Sequence, residues 1–200
     1  QLSNGATFDE RTPVLGENIV NTASWGKEID LGSLKYGQSR TCVVKINIPD
    51  EHINNPAQCI ETFMSFTDYA NETKVIESKL SQSTITSNTF NQVNHIRLLF
   101  VDAVQNAINE LDKYGENCKD VTNHHKYIND LVIKINSSST LVRNDPYIKD
   151  LLIDIQGQVK EALNMKLDNM SLHENWYIKW GRKYLLSLIA AHNDQRCNSS

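Results

Sequence analysis

The sequence SQSTITSNTFNQVNHIRLLFVDAVQNAINEL, residues 81–111, contains the change of pattern that decides the fold. Its first eight residues are mostly polar, and they separate two regions with different hydrophobic periods. After them, apolar side chains recur every three or four residues, as one face of an α-helix requires: Val93, Ile96, Phe100, Val104, Ile108 and Leu111. The sequence therefore predicts an α+β protein, with a β-rich part before this segment and a helical part after it.

The region before the polar segment has the alternation that is typical of β-strands. Apolar and polar residues tend to alternate between Ile19 and Leu80, and the clearest run is Thr41–Ile48. Pro49 ends that run, and the turn-forming residues Lys35–Gln38 precede it. We therefore expect a hairpin in which Thr41–Ile48 pairs with a strand over Glu28–Leu34.

Further strands are predicted on both sides of this hairpin. Gln58–Thr67 and Thr73–Leu80 alternate in the same way, with a turn at Asn54–Pro56 before them. Residues 1–18 either add one edge strand or cross over from whatever precedes them. Several short strands at this spacing indicate a small antiparallel β-sandwich, so residues 1–86 are predicted to form a β-sandwich-like accessory domain.

The region after the polar segment is predicted to form about four helices. The first begins at Thr89, which forms a capping box with Gln92, and ends near Gly115. A second is expected over Val121–Ile135, and a third begins at Asp145-Pro146, because Asp caps a helix and Pro fits its first turn. A capping box of Ser171 with Glu174 starts the fourth. Residues 87–200 are thus predicted to be a helical bundle.

Composition and charge exclude several classes of partner. The chain has 200 residues and a net charge of −4 with the charges scattered, so it presents no basic face for nucleic acid. No apolar run approaches the roughly 20 residues that span a bilayer, and the first residues do not resemble a signal peptide. We expect no membrane partner and a cytoplasmic location. The missing initiator Met suggests a segment of a longer polypeptide.

The four cysteines do not form a metal-binding or redox pattern. Cys42, Cys59, Cys118 and Cys197 are far apart and contain no CxxC pair, so free thiols are expected. A bridge between Cys42 and Cys59 stays open, since both lie in the β-rich part. The sequons at Asn71, Asn136, Asn169 and Asn198 occur about as often as chance gives, and they do not establish secretion.

No catalytic, cofactor-binding or metal-binding constellation is present in the sequence. The pair His124-His125 lacks a carboxylate or cysteine at ligand spacing, and adjacent residues on a helix point about 100° apart. The elbow GxSxG, the phosphate-binding patterns GxGxxG and GxxxxGK[ST], and the metal-adhesion motif DxSxS are absent. We predict that this chain is not an enzyme and binds no cofactor.

An aromatic stripe near the end of the chain has two interpretations. Trp176, Tyr177, Trp180 and Tyr184 could form a binding surface for another protein. Trp176, Trp180 and Tyr184 recur at helical spacing, however, which favours packing in the core. Gly181 lies among them, and Gly inside a helix costs up to about 1 kcal/mol relative to Ala. Its presence indicates that another backbone or a large side chain comes close.

Two stretches resemble a known family. Ile29–Arg40, IDLGSLKYGQSR, resembles the strand and turn that follow the A domain in von Willebrand A proteins with an accessory β-sandwich. Trp176–Cys197, WYIKWGRKYLLSLIAAHNDQRC, is similar to the signature WGxxYLxSLxxAHxxQxC of the Vwaint region, which lies between a von Willebrand A domain and a Hedgehog/intein-like Vint domain. The matching positions are Trp180, Gly181, Tyr184, Leu185, Ser187, Leu188, Ala191, His192, Gln195 and Cys197.

The resemblance implies an interdomain role. The A domain would precede Gln1, and the autoprocessing nucleophile of the Vint domain would follow the chain, so Cys197 is not assigned as that nucleophile. Lys183 and Leu186 replace the His and Pro that relatives tend to have in this helix. Some relatives carry a U-box or RING domain, which would place the whole protein in ubiquitin ligation.

Three functions remain open at this stage. The first is a non-catalytic scaffold between the flanking domains of the same polypeptide. The second is a protein-binding module of a ubiquitin-ligase-type assembly, in which the helical face contacts a protein partner. The third is an extracellular adhesion segment. In the first two, the residues that carry packing or interaction are Trp176, Trp180, Gly181, Tyr184, Leu188, His192 and Cys197.

Overall fold

The computed structural model describes residues 1–11, 13–16, 18–35, 37–79, 89–114, 124–163 and 176–194. The chain divides into two compact units. A β unit contains Gln1–Val14, Asn18–Ser33 and Val44–Asn88, and a helical unit contains Leu15–Glu17, Leu34–Val43 and Thr89–Ser200. The predicted boundary between residues 86 and 87 falls in the segment 80–88, which lies outside the described residues.

The β unit is built from short antiparallel strand pairs. Among its described residues, three two-stranded sheets pair β1 with β4, β2 with β3, and β5 with β6. Two 3-10 turns, Asp50–His52 and Pro56–Cys59, precede β5. The strands are β1 Thr7–Phe8, β2 Ile19–Ala23, β3 Gly26–Asp30, β4 Ile46–Asn47, β5 Glu61–Thr67 and β6 Thr73–Lys79.

The hairpin of β5 and β6 confirms the two strands predicted there. Its register runs from Glu61 opposite Lys79 to Thr67 opposite Thr73. The connecting turn is held by Asp68, whose carboxylate accepts hydrogen bonds from the backbone N–H groups of residues 70 and 72 and pairs with the Lys74 ammonium. This is the local carboxylate-to-backbone bonding that favours Asp in turns.

The hairpin predicted between Glu28–Leu34 and Thr41–Ile48 is wrong. Strand β3 pairs with β2 instead, and only Ile46–Asn47 of the second segment is a strand, opposite β1. The turn at Lys35–Gln38 does form, with the Gln38 N–H donating to the Lys35 carbonyl at 2.9 Å. The first strand cannot reach it, because Gly32 has φ of 64° and turns the chain out of the extended conformation.

The helical unit contains the predicted helices with two irregular turns. Asp145 caps α4, because its carboxylate accepts the Tyr147 N–H at 3.0 Å, which confirms the predicted start at Asp145-Pro146. The starts predicted at Val121 and at the Ser171 capping box lie outside the described residues. The elements are α1 Thr89–Tyr114, α2 His124–Asn136, α3 Thr140–Arg143, α4 Pro146–Asp154, a π turn Ile155–Val159, α5 Lys160–Ala162, a second π turn Tyr177–Gly181, and α6 Arg182–Asn193.

One continuous hydrophobic core holds this unit together. The predicted apolar face of α1 is confirmed: Ile96, Phe100, Val104, Ile108 and Leu111 are all at most 5% exposed, and Val93 is partly buried against the same core. They cluster with buried residues of α2, α3, α4, α5 and α6. Each fully buried aliphatic or aromatic side chain contributes about 1.5–3 kcal/mol, so packing rather than helix propensity accounts for most of the stability.

The α+β class is confirmed, with antiparallel strand pairs in the first half of the chain and helices mostly in the second. The β-sandwich and the bundle of about four helices stay predictions. Among the described helices, none combines the length and the apolar character needed to cross a bilayer.

Candidate functional site: the carboxyl-terminal helix

One member of the predicted aromatic stripe, Tyr177, belongs to the fully buried face of the last helix. Trp180 and Tyr184 are half-buried and pack against the core, as the packing interpretation predicted, whereas Trp176 is 44% exposed. The residues that turn inward are Tyr177, Gly181, Leu185, Leu188 and Ile189.

Gly181 explains why this face is the buried one. A Cβ atom at position 181 would lie 2.3 Å from the carbonyl oxygen of Ala162 and 3.0 Å from its carbonyl carbon. Real Cβ atoms do not approach so closely, so only glycine fits where the second π turn meets the end of α5. Turning Gly181 inward also brings Tyr177 and Leu185 into the core. The sequence predicted a close approach here, and the partner is the backbone of Ala162.

The aromatic rings of the stripe contact one another at the rim of the core. The Trp180 and Tyr184 rings meet edge to face with centroids 5.4 Å apart, an arrangement that adds to their area burial. The Lys179 ammonium lies 5.5 Å from the centroid of the Trp176 ring. Trp176 therefore presents one aromatic face to a neighbouring cation and remains largely open.

A polar cluster joins this helix to the end of α1. The Tyr177 hydroxyl donates to Asp112 Oδ1 at 2.7 Å, and the Arg182 guanidinium donates to both carboxylate oxygens at 2.9–3.0 Å. The hydrogen bonds from Arg182 hold the pKa of Asp112 below its usual range. Because one carboxylate accepts from two residues of the last helix, it fixes the rotation of that helix against α1.

His192 is enclosed between α1 and α4. The Tyr147 hydroxyl and His192 Nδ1 are 2.6 Å apart, and the Phe100 ring meets the imidazole edge to face at 4.9 Å. Burial, with a smaller contribution from the Arg97 charge, lowers the pKa of His192 to about 4. The imidazole is therefore neutral at physiological pH, and it serves as a hydrogen-bonding core residue of the motif.

Arg97 is a buried cation beside this histidine. It is 8% exposed, and burial lowers the pKa of its guanidinium. Within the described part of the chain, its Nε and Nη2 atoms and the Nε2 atom of His192 have no hydrogen-bond partner. A positive charge on His192 would lie close to the Arg97 charge, which adds to the effect of burial in keeping the ring neutral.

The two stretches that resemble the family contact each other within the helical unit. Arg40 Nη2 lies 3.4 Å from Asp194 Oδ1, and Gln38 Nε2 donates to the Asp194 carbonyl at 3.4 Å. Gln38 and Arg40 end the first stretch, and Asp194 lies near the end of the second. No local pattern predicts this contact, since it joins residues more than 150 positions apart.

Chemistry-bearing groups elsewhere in the described residues do not converge. No group of three His, Cys, Asp or Glu side chains is arranged to hold a metal within those ranges. His125 is half-buried, and burial lowers its pKa. Both described cysteines are free thiols, so the bridge between Cys42 and Cys59 does not form. Cys118 and Cys197 lie outside the described residues.

One surface depression of the described residues lies in the helical unit and has no catalytic lining. It lies along α1 and α2, and its lining mixes amides, one lysine, two carboxylates and a tyrosine, without a serine, cysteine or histidine. The lining residues are Asn106, Asn109, Glu110, Asp112, Lys113 and Tyr127. Asp112 already accepts hydrogen bonds from Tyr177 and Arg182, so its carboxylate is engaged in structure.

Comparison with known proteins identifies the last quarter of the chain. Residues 145–200 match the family model Vwaint, described as VWA / Hh protein intein-like. The recognition of a Vwaint region is thus confirmed for the segment that contains α4, α5, the second π turn and α6. No curated protein and no solved structure matches the chain.

Proposed function

We propose that this chain is a non-catalytic interdomain scaffold, which holds a von Willebrand A domain before it and a Hint/Vint autoprocessing domain after it in a fixed arrangement. The family description, which names both domain types, supports the proposal. The observation that carries it is that the motif residues of the last helix are occupied by contacts within their own unit. The flanking domains of the same polypeptide would be the partners.

The contacts of the last helix have the distribution that a rigid spacer needs. Gly181 contacts α5, Tyr177 and Arg182 contact α1, His192 contacts α4, and Asp194 contacts the segment 34–43. Each of these tethers restrains a different part of the helix. A helix restrained along its length transmits the position of whatever follows it, whereas a helix held at one end would swing.

The test measures the distance between the flanking domains in the full-length protein. We expect single-molecule energy transfer between dyes on those two domains to give one narrow distribution. Gly181→Ala, which forces the last helix away from Ala162, should broaden or shift it. Gly157→Ala is the matched control, because nothing lies within 4 Å of a Cβ at position 157. A broad distribution in the unmodified protein would contradict the scaffold.

The non-catalytic part of the proposal has its own test. We expect the purified chain to release no product from ester, phosphate-ester or peptide substrates at the concentrations at which a hydrolase would be detected. Hydrolysis of any of these substrates, with an activity that copurifies with the chain, would overturn the non-catalytic part of the proposal. We also propose the cytoplasmic location expected from the sequence, which fractionation of cells that express the full-length protein would test.

A second candidate is a protein-binding module of a ubiquitin-ligase-type assembly. The observation in its favour is the exposure of Trp176, at 44%, at the start of the last helix. Large exposed aromatic residues are the typical anchors of protein interfaces. Trp176→Ala in the full-length protein should then reduce ubiquitin-chain formation, while Ile133→Ala, at another exposed apolar position, should not. Equal activity of both variants would exclude this candidate.

A further inference from the structure

The edge of β5 is paired only at its beginning. Gln1 and Glu61 exchange both backbone hydrogen bonds, at 2.8 and 3.0 Å, and Leu2 forms a bridge with Ile60. The Ser3 N–H donates to the Cys59 carbonyl at 3.0 Å. The first residues of the chain therefore run antiparallel along the start of β5. Within the described ranges, no strand pairs with this edge beyond Glu61.

The unpaired backbone groups of β5 can be identified from the alternation of an antiparallel ladder. The N–H and C=O groups of Glu61 point toward Gln1, so those of Phe63, Ser65 and Thr67 point to the same side. The groups of Met64 and Phe66 point toward β6, opposite Ile76 and Lys74. The free edge of β5 thus presents the backbone groups of every second residue, in continuation of the Glu61 groups that bond to Gln1.

The faces of this hairpin also carry uncovered apolar side chains. Phe63 is 53% exposed and Met64 is 41% exposed on opposite faces of β5, while Val75 and Ile76 on β6 are 66% and 53% exposed. A two-stranded hairpin with this much exposed apolar surface is marginal by itself. A third strand would cover part of Phe63 and Met64 and would satisfy the edge.

We propose that the polypeptide preceding Gln1 continues as a β-strand along the free edge of β5 and completes a three-stranded sheet. The register follows from the observed pairs: each step back from Gln1 moves one residue forward from Glu61. The second residue before Gln1 would lie opposite Phe63, the fourth opposite Ser65 and the sixth opposite Thr67. The inference rests on the proposed function, in which an upstream domain is joined to Gln1.

The position of Gln1 is restrained by a second close approach. A Cβ atom on Gly26 would lie 3.1 Å from the Gln1 Cα, so this glycine leaves room for the first residue beside the turn between β2 and β3. Gln1 is therefore held between β5 on one side and that turn on the other. The chain before it is aimed along β5 by backbone contacts, whatever its side chains are.

The experiment is residue-resolved amide hydrogen exchange of the full-length protein and of the chain that begins at Gln1. In the full-length protein we expect the amides of Phe63, Ser65 and Thr67 to exchange at least about tenfold more slowly than in the shorter chain. The amides of Met64 and Phe66, which bond to β6, should exchange at similar rates in both. This internal control separates a new edge pairing from a general change in hairpin stability.

Two proline variants of the full-length protein make the test specific. Ser65→Pro removes an N–H that faces the proposed strand, and Val75→Pro removes one that faces the outer edge of β6. We expect Ser65→Pro to restore fast exchange at Phe63 and Thr67, and Val75→Pro to leave their protection unchanged. Equal effects of the two variants would overturn the proposal.

The other outcomes are also decisive. Fast exchange of the edge amides in the full-length protein would overturn the proposal, as would protection in the shorter chain that rises with protein concentration, since a second copy would then occupy the edge. Neither result would affect the energy-transfer test between the flanking domains. A narrow interdomain distance with a fast-exchanging edge would retain the scaffold and reject the added strand.

Discussion

Gly181 and Gly157 lie in the two π turns and have opposite surroundings. A methyl group at position 181 would meet the Ala162 backbone, whereas one at position 157 would meet nothing within 4 Å. We expect Gly181→Ala to lower the free energy of unfolding by about 1–3 kcal/mol or more, the usual cost of overpacking where backbone must move. Gly157→Ala should be neutral or raise it by up to about 1 kcal/mol. Urea unfolding measures both, and equal effects would contradict the close contact.

His192 gives the helical unit a pH dependence with a definite sign. Its pKa is about 4 in the folded state, below the value near 6.5 of an unfolded imidazole. The unfolded state therefore binds the proton first as the pH falls, and the folded state loses stability between pH 6.5 and 4. The stability that the neutral imidazole contributes is fully present above the pKa of His192 in the unfolded state.

The measurement compares urea unfolding at pH 7 and pH 5. Between pH 7 and pH 5 we expect the unfolding free energy of the wild type to fall by about 2 kcal/mol more than that of His192→Gln, because glutamine cannot titrate. The groups facing the imidazole are Tyr147, whose pKa burial raises, and Arg97, and neither changes charge in this interval. The same loss in both proteins would show that other groups carry the pH dependence.

The start of α4 depends on one side chain. Asp145 accepts the Tyr147 N–H at 3.0 Å and thereby satisfies a donor that the helix itself cannot. Asp145→Ala should cost about 1 kcal/mol of unfolding free energy. Asp150→Ala, on the exposed side of the same helix, is the control and should cost less, because Asp150 makes no cap. Thermal unfolding of the two variants distinguishes them.

Elements defined by local patterns were predictable from the sequence. The apolar period of α1, the start of α4 at Asp145-Pro146 and the strands β5 and β6 depend on residues close in the chain. The pairing of β3 was not predictable from the turn at Lys35–Gln38, because the bend at Gly32 intervenes. Alternation identifies a strand but not its partner.

The candidate site was predictable in composition but not in orientation. The motif residues, the close approach at Gly181 and the packing of Trp180 and Tyr184 against the core were predictable from the sequence, while the exposure of Trp176 was not. Residue size favours an inward Trp176, yet the narrow space at Ala162 admits only a glycine and so turns Tyr177 inward instead. This constraint comes from α5, so the local periodicity of the last helix does not reveal it.

At the scale of the whole helical unit, one core links nearly all the helices. Leu185 is fully buried in the cluster that includes residues of α1, α2 and α4. We expect Leu185→Ala to cost about 2–5 kcal/mol, the range for a buried leucine that leaves a cavity. Hydrogen exchange should show amides of α1, α2 and α4 losing protection together. A loss confined to α6 would contradict a single cooperative core.

The two π turns have a consequence for how this region tolerates changes in length. A π turn accommodates one more residue than the α-helical turn that would replace it. A single-codon deletion within Ile155–Val159 would therefore leave an unbroken α-helix in which α5 keeps nearly the same rotation relative to α4, because the α turn covers that rotation with one residue fewer. The Ala162 carbonyl would then stay beside Gly181. The same deletion in a regular α-helical turn would rotate everything after it by about 100° and would separate the two backbones. A loss of one residue is thus expected to be tolerated at this π turn and not in the regular helices beside it.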